Sequence, residues 1–311
     1  MQQYTVQTPY MVGEVHFYTK ELDQGLALFD TGPPTDEGKQ ALLENVELEK
    51  LKYIFITHCH VDHYGLAEFV SQNSGAELYI GRRDALKLSR HRERLVAIAA
   101  LLSGLGFSDE FIQKLRESFS QNRVFPSMPF NYRVIEDAPE VRDLGVSWIS
   151  CPGHSQSDIV YLAGEYAVTG DLLLRNIFQA PLLDIDLETF QGRFRNYEAY
   201  CSSLLSLSRL QGYQIMPGHR HYIVSLDEAI LFYVRTMLER ALHVFRYKEL
   251  PMPELIDRLF EGRISEPFFV YLKLSEVIFM LDFIENPDLL KLSLQEIGLF
   301  SRVDDLFSRF I

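Results

Sequence analysis

The seven residues Thr57-His58-Cys59-His60-Val61-Asp62-His63 constrain this chain more than any other stretch of it. Four metal-binding side chains, His58, His60, Asp62 and His63, fall within six consecutive positions. Neutral imidazole nitrogens and hard carboxylate oxygens together suit zinc, iron(II) or manganese better than calcium. On one tight loop the four groups point in different directions, so they cannot all face a single tetrahedral ion. Two ions sharing the loop resolve that conflict, His58 and His60 turning to one, Asp62 and His63 to the other. A solvated polar loop is the plain alternative, but three histidines interleaved with an aspartate rarely arise without a metal. The preceding run, residues 51–56, is short, apolar and β-rich, which predicts a buried strand. The cluster therefore begins on the loop that leaves a strand.

Three later segments repeat the arrangement. Cys151-Pro152-Gly153-His154-Ser155 follows the strand-like run 146–150, and Gly170-Asp171 follows the run 166–169. Pro217-Gly218-His219 follows the run 214–216. Any one of these would read as an ordinary surface or core residue. Four ligand-bearing loops in series, each at the C-terminal end of a β-rich run, point to one shared site.

On these motifs the chain resembles the metallo-β-lactamase fold superfamily, in the branch that holds glyoxalase II and its relatives. Asp30-Thr31-Gly32, then HxHxDH, Gly-His, Gly-Asp and Pro-Gly-His stand in family order between residues 30 and 219. The opening Thr8-Pro9-Tyr10-Met11-Val12-Gly13 is similar to a subgroup with a helical lid insertion and a helical C-terminal extension. The resemblance implies an α/β fold, a four-layer αββα sandwich with the site at one edge of the paired sheets. It implies that His58, His60 and His154 hold one metal, that Asp62, His63 and His219 hold a second, and that Asp171 bridges the two. Asp30 would orient the metal-binding loop. Arg220 departs from the pattern, standing where the family usually has glycine, and with His221 it could add polar groups near a substrate. His16 stands where the subgroup often has asparagine, and no role is assigned to it. Tyr64, directly after the ligand loop, is expected to pack rather than to enter the pocket.

Strands are expected over residues 4–8, 12–19, 26–29, 77–80, 132–135 and 159–162, besides the four ligand-bearing runs. Helices are expected over 36–45, 66–71 and 188–210. Residues 84–120 read as a helical insertion in two pieces, broken near Gly104, Gly106 and Ser108, with 124–129 returning the chain to the sheet. Beyond His221 no further ligand cluster occurs, and helices are expected over 227–247, 253–260 and 272–285. We therefore expect a catalytic domain at 1–226, with the insertion 84–130 as its lid, and a helical domain at 227–311.

Of the 311 residues, 47% are hydrophobic and 23% charged, as expected of a globular protein with a sizeable core. The net charge of -13 would repel an extended polyanion, so nucleic acid is not the expected partner. The first residues lack a basic and apolar leader, and no apolar run of about 18 residues suggests a membrane span. Three cysteines, Cys59, Cys151 and Cys201, without a CxxC pair fit reduced thiols and a cytoplasmic location. The helical tail could support a homodimer.

The expected function is hydrolysis of an ester or thioester of a small molecule by metal-activated water. Two divalent ions, zinc foremost with iron or manganese also suited, are the expected cofactors, and Asp62 and Asp171 the expected catalytic carboxylates. The same scaffold admits a mononuclear iron enzyme of the persulfide dioxygenase kind, a phosphodiesterase, or a regulatory protein that retains its metals. Flavodiiron proteins fit less well, because their HxExDH pattern carries glutamate where His60 stands. Apolar residues of the insertion (Leu95, Ile98, Leu101, Leu102, Phe107, Phe111) suggest either an acyl-binding surface or internal packing, with packing favoured for most.

Overall fold

The computed structural model describes residues 1–10, 12–121, 131–179 and 181–310. The segment 124–129 expected to return the chain to the sheet, the end of the lid insertion and Met11 of the opening motif lie outside them. The first sheet contains β1 (Gln2–Gln7), β2 (Glu14–Leu22), β3 (Gly25–Phe29), β4 (Leu51–Phe55), β5 (Glu77–Ile80) and β6 (Arg133–Val134), in that order. β1 to β3 pair antiparallel, and β3 to β6 parallel. The second sheet contains β7 (Val146–Ser150), β8 (Ile159–Ala163), β9 (Tyr166–Gly170) and β10 (Gln214–Pro217), in the order β10-β9-β8-β7.

Side-chain alternation places the layers. Along β3 to β5, Leu28, Ile54 and Leu78 face an outer core with Leu42 of α1 (Asp36–Asn45) and Val70 of α3 (Ala67–Ser74). Their neighbours Phe29, Phe55 and Tyr79 face inward, where they meet Tyr161, Val168 and Met216 of the second sheet. Phe55 is central there, its ring 5.3 Å from Phe29, 5.1 Å from Tyr79 and 5.2 Å from Tyr161. On the far face, Val160 and Ala167 pack on α7 (Asn196–Ser208) through Tyr197 and Leu204. Helix, sheet, sheet and helix thus stack as the four-layer αββα sandwich that the resemblance implies, with short α2 (Val61–Tyr64) on the ligand loop.

The insertion folds as three helices rather than the two pieces expected: α4 (Arg82–Ser89), α5 (His91–Gly104) and α6 (Asp109–Gln121). The extra break is at Arg90, whose guanidinium carbon lies 3.4 Å from the ring centroid of Phe190. The helix expected from residue 188 starts instead at Asn196. Asp186 caps the backbone of Glu188 and Thr189, and Phe190 and Gly192 both take left-handed φ, so 188–195 is a tight loop.

After the second sheet come α8 (Leu226–Phe245), α9 (Met252–Phe260), α10 (Pro267–Glu285), α11 (Pro287–Glu296) and α12 (Asp304–Phe307). α10 begins at Pro267, earlier than expected, because Pro267 suits the first turn and Glu266 accepts from Phe269 N at 2.9 Å. It is apolar all round because it serves two cores. Phe279 and Phe283 join the core of α7 and α8, while Leu274 and Ile278 join Ile98, Leu102 and Phe107 of the insertion. Packing is therefore the role of those insertion residues. Among the described residues no helix is long and apolar enough to cross a membrane.

All three cysteines are free and buried. Burial pushes the Cys151 and Cys201 thiols each up to about 12, and the Cys59 thiol well up too. At pH 8 only about one molecule in ten thousand would carry a thiolate at Cys151 or Cys201. We expect a disulfide reagent to label none of the three in the native protein and all three after unfolding in guanidinium. Fast labelling of the native state would contradict this.

Candidate metal centre

The same edge of the two sheets receives the ends of β3, β4, β7, β9 and β10, and each is followed by a motif residue. Asp30 follows β3, His58 to His63 follow β4, His154 follows β7, Asp171 follows β9 and His219 follows β10. All seven expected ligands come together there. His58 Nε2 lies 2.9 Å from His60 Nδ1, and His154 Nε2 lies 3.1 Å from the same atom. A second group forms around His219 Nε2, which is 3.3 Å from Asp62 Oδ2 and 3.2 Å from Asp171 Oδ1. His63 Nε2 is 3.2 Å from that Asp171 oxygen and 3.9 Å from Asp62 Oδ2. Asp171 Oδ2 faces the first group, 3.6 Å from His154 Nε2.

Hydrogen bonds behind the cage decide which nitrogens face inward. Asp30 Oδ1 accepts from Thr57 N at 2.8 Å, and Oδ2 accepts from Thr57 Oγ1 at 2.9 Å and His63 Nδ1 at 2.8 Å. With its hydroxyl proton given to Asp30, Thr57 can accept from His58 Nδ1, 3.1 Å away. His219 Nδ1 donates to the Glu14 carbonyl at 2.5 Å. In all three histidines the Nδ1 proton is engaged at the back, so Nε2 is the nitrogen that faces into the cage. Asp30 takes a left-handed φ of 58°, which brings its carboxylate under the loop.

The motif glycines are there because of crowding. A Cβ on Gly218 would stand 2.6 Å from both Asp171 Oδ1 and His63 Cε1, and one on Gly170 would stand 2.6 Å from Thr57 Oγ1. Arg220, where glycine was expected, takes φ 65°. The position requires left-handed backbone, which explains the usual glycine. The Arg220 guanidinium lies over Gly13, and neither Arg220 nor His221 lines the cavity in front of the cage. Tyr64 is buried in the outer core, as expected.

Other positioning residues were not legible beforehand. Asp84 and Lys87, one turn apart on α4, grip the backbone of Cys59, the residue between two ligands, from both sides. Cys59 N donates to Asp84 Oδ2 at 2.8 Å, and Lys87 Nζ donates to the Cys59 carbonyl at 2.7 Å. His16 bonds Thr5 Oγ1 at 2.9 Å and the Arg220 carbonyl at 2.7 Å, while Tyr18 Oη donates to the Pro217 carbonyl at 2.5 Å. Asp158 accepts from Gly153 N, Ser155 N and Ser155 Oγ and shapes the His154 loop. Their spacing carries no signal, because each acts on a loop distant in sequence or through a bare backbone group.

Electrostatics divide the cage. Burial, then neighbouring imidazoles, hold His58 and His60 well below the usual histidine range. Burial also opposes charge on His63 and His219, but the adjacent carboxylates, Asp171 first, more than offset it. His63 is held well above its usual value and His219 is raised to about 10. Burial likewise opposes charge on Asp171, but His219 and His63 hold it well below the carboxylate range. His63 Nε2, His219 Nε2 and Asp171 Oδ1 are buried, yet none is aligned in a hydrogen bond. Imidazole nitrogens and carboxylate oxygens that converge there without aligned hydrogen bonds fit a shared cation, a proton on the imidazoles or a metal ion in its place.

A family model described as the metallo-beta-lactamase superfamily matches residues 17–219, and the chain belongs to that superfamily. It is 30% identical over 241 residues to the probable metallo-hydrolase YqjP of Bacillus subtilis (strain 168), covering 72% of this chain and 73% of that protein. A metallo-beta-lactamase family protein of Thermus thermophilus has the same fold, with TM-score 0.69, 21% identity and coverage of 92% and 94% of the two chains. A beta-lactamase domain protein of Burkholderia ambifaria does too, with TM-score 0.71, 17% identity and coverage of 91% and 86%.

Proposed function

We propose that this protein is a dinuclear metal-dependent hydrolase of a small-molecule ester or thioester, nearest in kind to the glyoxalase II-like branch of its superfamily. The observation that carries the reading is Asp171, whose two oxygens face two separate sets of donors. His58, His60 and His154 would hold one divalent ion, Asp62, His63 and His219 the other, and Asp171 both. Each of these two sets converges within 4.8 Å, as do His58, His63 and Asp171 between them, and the unpartnered buried atoms among them fit a cation. Zinc is the expected metal, with iron and manganese suited to the same ligands. When bound, such a pair lowers the pKa of water from about 15.7 towards about 7 and polarises the bond under attack.

The chain's own groups do the rest. Asp62 and Asp171 line the cavity and stay ionised at neutral pH, so either can take the proton that the attacking water releases. Asp30 holds His63 and the Thr57 hydroxyl in one arrangement, which removes the need to reorganise during reaction. The name given to the B. subtilis relative agrees with this reading. Residues 1–226 would form the catalytic unit and 227–311 a helical unit that supplies part of the cavity wall.

The test is elemental analysis of the purified protein together with an activity screen. Two equivalents of metal per chain and chelator-sensitive thioester or ester hydrolysis are expected. One iron per chain with dioxygen uptake would overturn the reading. So would full occupancy without turnover of thioesters, lactones or phosphodiesters. Lys87→Met should weaken metal binding by about 10- to 100-fold, because the Cys59 peptide between two ligands loses its anchor. Competition against a chromophoric chelator measures this, and unchanged affinity would show that the anchor is dispensable.

A further inference from the structure

The cavity in front of the cage has a volume of about 1080 Å³, at the upper end of small-molecule sites, roughly 300–1,000 Å³. An acyl group as small as acetyl would leave most of it empty. His60, Asp62, His154, Asp171 and His219 form one part of its lining. Leu174, Ile177, Phe178, Phe194 and Phe268 line the same space, with Leu187 behind them in the core shared with the insertion. Leu174 and Phe194 are almost fully covered, whereas Ile177, Phe178 and Phe268 are half-buried. An apolar side chain turned to a water-accessible cavity forgoes stabilisation that a bound apolar group restores. Most of this wall comes from residues 174–194, which begin soon after Asp171. The chain that carries the shared carboxylate thus also carries the apolar surface.

We infer that the substrate bears a medium-length or longer apolar acyl chain, which lies along this wall while its carbonyl sits at the cage. The inference rests on the ester or thioester reading above and adds the class of acyl group. It also relocates the apolar surface: Ile98, Leu102 and Phe107 of the insertion are committed to packing. From that insertion α4 to α6 offer the cavity chiefly polar side chains, Lys87, Arg94, Lys114, Glu117 and Ser118, with Phe119.

The test uses the metal-loaded protein and N-acetylcysteamine thioesters from acetyl to dodecanoyl. We expect kcat/KM to rise about two- to fourfold per added methylene until the cavity is filled. Ile177→Trp, which fills part of the wall, should lower the ratio of decanoyl to acetyl kcat/KM at least tenfold. A flat series or an unchanged ratio would overturn the inference while leaving the hydrolase reading intact. In parallel, calorimetric titration with S-alkyl-N-acetylcysteamines, thioethers that cannot be hydrolysed, reads the wall without turnover. Affinity should climb with chain length and show a negative heat-capacity change. If no thioester or ester is cleaved but affinity climbs, the hydrolase reading fails and the apolar subsite stands. Affinity independent of chain length removes the subsite.

Discussion

Asp171→Asn is expected to cut turnover at least about a thousandfold while leaving the far-ultraviolet circular dichroism unchanged. The substitution keeps the shape, so the crowded contact with Gly218 survives and no cavity opens. It removes the negative charge that both donor sets share, 3.2 Å from His63 and His219 on one side and 3.6 Å from His154 on the other. An amide can offer one oxygen to one set, with its NH2 turned against the other. Metal content should therefore fall together with activity, which separates this outcome from loss of a proton acceptor alone. His58→Ala should act in the same direction through the first set. Full activity with two metals retained in Asp171→Asn would rule out the shared carboxylate.

Removing both metals should lower the melting temperature by roughly 16 °C. Ligand held at a thousandfold above its dissociation constant adds about 4 kcal/mol per site, and a chain of this size shifts by about 2 °C per kcal/mol. The metal-free protein should also acquire a pH dependence that the loaded protein lacks. His63 and His219 have raised values in the metal-free fold, His219 to about 10, against about 6.5 when unfolded. Their stabilisation is complete below pH 6.5 and disappears as pH rises towards 10. Asp62 and Asp171 are depressed, so their share is present above the unfolded carboxylate value and disappears as pH falls through the folded one. His58 and His60 are depressed, so they cost stability as pH falls below about 6.5, and the metal-free protein should therefore be most stable near pH 6.5. Calorimetry with and without chelator at pH 6 and pH 9 checks this. Equal melting temperatures at both pH values in the chelated protein would refute it.

The sandwich was legible because its strands advertise themselves. Residues 51–55, 159–163 and 166–170 are largely apolar on both faces, as strands covered on two sides must be, and the first and last of them lead into turns that carry ligands. The errors fell where local chemistry overrides periodicity. The stretch 188–195 carries a plausible helical pattern, but Asp186 offers its backbone a competing set of hydrogen bonds. Arg90 breaks a run that nothing local interrupts, because its partner Phe190 lies far along the chain.

The amino-acid order alone determined which side chains could bind metal and that each follows a strand, since residue type and alternation are local properties. Only the tertiary structure decided which nitrogen of each histidine faces inward, because Asp30, Thr57 and the Glu14 carbonyl reach their partners across loops. It also decided where the apolar wall lies. Ile177 looks like any core residue in sequence, and Ile98 and Leu102 leave packing and a binding surface both open, with packing favoured. Whether an apolar side chain meets another or faces a cavity depends on what the rest of the chain packs against it, and no local pattern encodes that.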